Sequence, residues 1–120
     1  PVKELAAQLR GAGYDGKGVI VGSDHMIAAM LHSQFPASYA LGCSDGKQIK
    51  QCLAQAQTQA NLQAQGPLLP ITRADKPAPH WWEDIFTVLP QASTQSLSIP
   101  FEKMPASATP AQYQYLWITP

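Results

Sequence analysis

At 120 residues the chain has room for one domain, and a domain of this size hides roughly two-thirds of its unfolded surface. Charged residues make up 13% and hydrophobic residues 45%; the charged share is about half the usual 25%, so the surface is built from Gln, Ser, Thr and Ala. A formal net charge of +0 gives no field to gather phosphate backbones or anionic head groups, which argues against a nucleic-acid partner.

No apolar run reaches the roughly 20 residues that span a bilayer. Pro1 opens the chain where a signal peptide would have a basic start and an apolar centre, so the sequence reads as an excised fragment or a processed product.

"VKELAAQLR" sets Val2, Leu5, Ala6 and Leu9 on one helical face, with Glu4 near the positive end and Arg10 near the negative end. "GAGYDGKG" is a loop by composition. "VIV", within Gly18 to Val21, is β-branched with no polar alternation, the habit of a strand covered on both faces. After Ser23 a helix follows, with Met26, Ile27, Met30 and Leu31 as its apolar stripe, ending at Pro36. "ASYAL" is a short strand and "GCSDG" a turn.

From Lys47 to about Gln65, Ile49, Cys52, Leu53, Ala56 and Ala60 form the stripe of a long helix whose other face is glutamine. "GPLLPITR" gives a third strand near Leu68 to Thr72; Pro70 there removes a ladder donor and predicts an edge or a bulge. "HWWEDIFTVL" aligns Trp82, Ile85, Phe86 and Leu89 as a helix. "QSLSIPF" and "YQYLWIT" alternate polar and apolar, as strands with one covered face do. The expectation is a single α/β domain over residues 1–120: three layers, a mostly parallel sheet with flanking helices and a C-terminal antiparallel strand pair.

The junction "VIVGSDH" is the first place to look for chemistry. It lacks the Gly-x-Gly-x-x-Gly of a dinucleotide site and the Gly-Lys-Ser/Thr of a P-loop. Ser23 fits a helix N-cap and Asp24 the first turn, where the carboxylate would repel a phosphate. Ser23, Asp24 and His25 hold the three residue types of a hydrolytic triad, but consecutive helical residues point about 100° apart and cannot orient one another. Ser23, Asp24 and His25 are therefore candidate ligand contacts, with no catalytic assignment.

His25 and His32 share a helix face seven residues apart, roughly 10 Å along the axis, too far to bridge one ion. No metal or cofactor is expected. Trp81 stands about 100° from the stripe that holds Trp82 and is a candidate exposed contact for a sugar, a lipid head group or a partner domain, the alternative being a second packing contact over the loop. Cys43 and Cys52 permit a disulfide if Cys43 folds back to within roughly 7 Å of the helix carrying Cys52. Two independently buried thiols are the other reading, and nine-residue spacing without a neighbouring His is no zinc site.

The order "ELAAQLR…GKGVIVGSDHMIAAML…FPASYAL", then "GPLLPITR", and a final "QYQYLWITP" resembles the soluble C-terminal extracytoplasmic domain of bacterial integral-membrane glycosyltransferases. These are relatives of the dolichyl-phosphate-mannose protein mannosyltransferases and of the aminoarabinose transferase that modifies lipid A. The similarity spans nearly the whole chain, with Gln114 where the family's "QYDLW"-like ending has Asp. It implies a non-catalytic domain on the periplasmic face of the inner membrane, whose partner is the transmembrane portion of the same polypeptide. The parent enzyme would use a polyprenyl-phosphate sugar donor, and this domain would cover its active site or help receive the acceptor. A small-ligand, saccharide-binding α/β module, with its ligand at the C-terminal ends of the strands, is the alternative.

Overall fold

The chain forms α1 (Val2–Gly11), β1 (Val19–Gly22), α2 (His25–Gln34), β2 (Tyr39–Gly42), α3 (Ile49–Gln63), β3 (Leu68–Arg73), α4 (Trp81–Val88), β4 (Thr94–Ile99) and β5 (Ala111–Leu116). This computed structural model describes residues 2–44, 46–63, 68–88, 94–99 and 111–116. Leu89, Phe101 and Trp117–Thr119, which the sequence reading placed in elements, lie outside the described residues. Among the described residues no helix is long and apolar enough to cross a membrane.

The five strands lie in the order β2-β1-β3-β5-β4. β1 runs parallel to β2 and β3, while β5 runs antiparallel to both β3 and β4. The architecture is α/β, with the antiparallel pair at one edge.

The "VIV" run explains the layering, because alternate residues of a strand point to opposite faces. Ile20 packs on one side with Leu5 and Leu9 of α1 and Ile27 and Leu31 of α2. Val19 and Val21 pack on the other with Ile49 of α3 and Trp82 and Ile85 of α4. Each of the three β1 side chains is at most 1% exposed, and burial of an aliphatic side chain of that size stabilises the fold by about 1.5–3 kcal/mol.

Pro70 lies in β3, in the middle of the sheet, and not at an edge or bulge. The reason is which way its backbone faces. Ile71 turns its carbonyl to β1, where it accepts from Ser23 N–H at 3.0 Å, and Ala74 N–H turns the other way, to Gln112 O. Pro70, one residue before Ile71, therefore faces the β5 side. The described pairing with β5 begins at Ile71, so the missing donor takes nothing from the ladder with β1.

On α2 the buried residues are Ile27, Ala28 and Leu31, whereas Met26 is 70% exposed. The buried face is thus rotated from the stripe read in sequence, because the helix lies directly on strand backbone. A Cβ on Gly22 would stand 2.9 Å from Ala28 N, and one on Gly42 would stand 2.8 Å from His25 N. Gly22 and Gly42 are register partners on β1 and β2, so one helix rests on two adjacent strand ends with no side chain between.

Candidate functional site

The N-cap of α2 is Asp24, not Ser23. Asp24 has extended backbone, and its Oδ1 accepts from Ile27 N–H at 2.8 Å. Ser23 is held one step earlier, its N–H continuing the β1–β3 ladder to Ile71 O. That hydrogen bond keeps residue 23 in the sheet and moves the cap one residue on, so His25 becomes the first helical residue. Ser23, Asp24 and His25 consequently form no relay: the carboxylate is turned to the helix backbone, away from the imidazole's role as a base.

His25 instead opens onto a groove of about 400 Å³ at the outer edge of the sheet. α2 supplies one wall with His25, Ala28, Ala29 and His32. The strand β2 supplies Ala40, Leu41 and Gly42, and Lys47 and Gln55 close the side toward α3. The two histidines face the same space because seven residues are close to two full helical turns. Gln55 is steadied by donating to Tyr39 Oη at 3.0 Å. Among the described residues, none of the side chains of His25, His32 and Lys47 forms a hydrogen bond or an ion pair.

The strand order places the topological switch elsewhere, between the ends of β1 and β3. The groups there are already committed. Arg73 makes two hydrogen bonds to the Asp75 carboxylate and lies 5.4 Å from the centre of the Tyr113 ring. The Arg73 hydrogen bond holds the Asp75 carboxyl below the ordinary carboxylate range, and burial pushes the Tyr113 phenol up. The charged groups at that end of β3 are thus paired with each other.

Trp81 is 1% exposed and Trp82 2%, so Trp81 is not an exposed contact for sugar, lipid or partner. Its indole Nε1–H donates to Cys43 O at 2.7 Å, and its ring sits 5.6 Å from that of Trp82. A buried indole needs an acceptor, and this one is supplied from 38 residues earlier. The same segment carries the disulfide Cys43–Cys52, with Cα atoms 6.0 Å apart. The bridge closes a short loop that contains Lys47, tying one wall of the groove to the end of β2.

Chemically, the groove offers two imidazoles, an ammonium and an amide around small apolar side chains. Among the described residues no group of three or more His, Cys, Asp or Glu could hold a metal ion. The chain matches no family model, no curated protein and no solved structure.

The sequence reading named His25 as a contact and set His32 on the same helix face, but did not bring in Lys47 or Gln55. The heptad spacing of His25 and His32 was the available signal: it rules out one shared ion and equally places both side chains along one wall. Lys47 and Gln55 could not be found that way, because Lys47 arrives on the disulfide-closed loop and Gln55 on α3.

Proposed function

We propose that this chain is a non-catalytic extracytoplasmic domain of a bacterial integral-membrane glycosyltransferase that uses a polyprenyl-phosphate sugar donor. The observation that carries the reading is the buried Cys43–Cys52 disulfide. Such cross-links persist in oxidising compartments and are rare in the cytosol, which suits the periplasmic face of the inner membrane. The resemblance along "GKGVIVGSDHMIAAML" and "QYQYLWITP" supplies the enzyme class. The commitment of Asp24 to the α2 backbone removes the geometry that a stand-alone hydrolase built on Ser23 and His25 would need. In this reading the domain covers the membrane-embedded active site, and its partner is the transmembrane part of the same polypeptide.

The test compares the intact gene product in membranes with the purified 120-residue chain, using a polyprenyl-phosphate sugar donor. The membranes are expected to transfer sugar and the chain alone to transfer none. Turnover by the isolated chain, or a reading frame that encodes no apolar spans beside it, would overturn the proposal.

A second reading, a saccharide-binding module, is favoured by one observation, the groove at His25 and His32. Its volume lies in the range of small-molecule sites, about 300–1,000 Å³. Indole fluorescence is a blunt probe for it, since Trp81 and Trp82 pack against the opposite face of the sheet; amide shifts of α2 during a sugar titration are the direct measurement.

A further inference from the structure

We propose that the groove between α2 and the edge of β2 binds a small organic anion, a phosphate or carboxylate carried on a body of monosaccharide size, with His25, His32 and Lys47 as its donors. Three observations converge on this chemistry.

The first is charge. Among the described residues, the titratable side chains lining the groove are two histidines and a lysine, all cationic or convertible to cations. Asp24, next in sequence to His25, is not a lining residue, and its Oδ1 is engaged by Ile27 N–H. Lys47 in the wall disfavours a metal cation, and two imidazoles fall short of a complete ligand set.

The second is unspent bonding capacity. The three side chains have no hydrogen-bond or ion-pair partner among the described residues. In contrast, Arg73 is paired with Asp75, and Arg10 donates to Gln34 O while lying 4.7 Å from the centre of the Phe35 ring. The two arginines are thus used by the fold, and although Lys3, Lys17, Lys50 and Lys76 are exposed and unpaired among the described residues as well, the groove brings three side chains with donors to spare to one concavity.

The third is backbone. Tyr39 and Cys43 donate their N–H groups to Gly18 O and Gly22 O, so the odd-numbered residues of β2 face β1. By alternation Ala40 and Gly42 turn their peptide groups away from β1, to the side where no described strand lies, which is the groove. Ala28, Ala29 and Ala40 are small enough to leave room for the body of the ligand.

This inference goes beyond the glycosyltransferase reading and does not rest on it. Its test is a titration of the isotope-labelled chain, followed by amide NMR at constant ionic strength, with glucose 1-phosphate, glucuronate and glucose as separate probes. Saturable shifts at His25, Ala28, Ala29, His32 and Gly42 with one or both acids, and binding of glucose weaker by about tenfold or more, are expected; the two acids tell a phosphate site from a carboxylate site. Lys47→Gln and His25→Gln should each weaken the acid by about tenfold, the scale of one charge-assisted hydrogen bond, with the rest of the spectrum unchanged. Lys76→Gln, an exposed lysine beyond β3, should leave the affinity as it was. Absence of shifts at acid concentrations on the order of 10 mM, shifts confined to other residues, or affinities indifferent to Lys47 and His25 would each overturn the proposal. Glucose moving the same amides as strongly as the acids would overturn it too, while supporting the saccharide reading.

Discussion

The two faces of the sheet are closed by different means. Under α1 and α2 the core is aliphatic packing plus three buried phenols, Tyr14, Tyr113 and Tyr115, with Tyr14 meeting Phe35 edge-on at 4.8 Å between ring centres. Under α3 and α4 it contains a disulfide and two tryptophans, one of them hydrogen-bonded to a cysteine carbonyl. One face is therefore expected to be sensitive to base, through its phenols, and the other to reductant, through its disulfide.

The largest effect is expected where the second face is most tightly knit. Trp81→Ala should lower stability in denaturant titration by about 3–5 kcal/mol, as emptying a buried aromatic site does. Trp81→Phe should cost less, about 1–3 kcal/mol, chiefly for the stranded Cys43 carbonyl. A phenylalanine variant as stable as the parent would break the claim that the indole hydrogen bond matters.

Next in size is the bridge. Its nine-residue separation predicts a loss of about 3 kcal/mol when both cysteines are replaced by Ala. A double-mutant cycle sharpens the contrast: Leu31→Ala, on the first face, should cost the same with or without the bridge to within about 0.5 kcal/mol. Trp81→Phe should not be additive with it, because the two share the Cys43 segment.

A smaller loss, about 1 kcal/mol, is expected for Asp24→Ala, measured by the same titration, since an N-cap is worth that much. Ser23→Ala should change little if the hydroxyl is not the cap. Equal losses at the two positions would contradict the cap assignment.

The alkaline limb is the gentlest probe. Burial, then the nearby Asp15 charge, push the Tyr14 phenol well above its ordinary range, against a lowering hydrogen bond from Ser38, and burial raises Tyr113 and Tyr115 as well. The unfolded chain therefore ionises first, at about pH 10, and draws the equilibrium toward itself. Stability that is fully present below that pH should fall above it, and Tyr14→Phe should flatten the fall. An alkaline limb unchanged by that substitution would show that Tyr14 is not the base-sensitive group.

Much of this fold was legible from local pattern. The unalternating "VIV" between two helical periods specifies a strand covered on both faces, and Leu5, Ala6 and Leu9 are buried as their spacing requires. The antiparallel finish followed from the polar–apolar alternation of β4 and β5. What failed depended on distant partners. Ser23 looked like the cap until Ile71 claimed its N–H, and Trp81 looked exposed until a carbonyl 38 residues away proved to be its acceptor. Pro70 pointed to an edge or a bulge because sequence does not say which side of a strand its nitrogen faces. The groove was half visible, through the spacing of His25 and His32, and half hidden, because Lys47 arrives by way of the Cys43–Cys52 bridge.

The contact of α2 with Gly22 and Gly42 divides the neighbourhood into a fixed part and a tunable one. At positions 22 and 42 even one added methyl would meet helix backbone at 2.8–2.9 Å, so a saturation scan should accept glycine there and reject every other residue. Positions 29, 32, 47 and 55 carry exposed side chains on the same groove and should tolerate broad replacement. A chain built this way can change what it recognises without renegotiating how it folds.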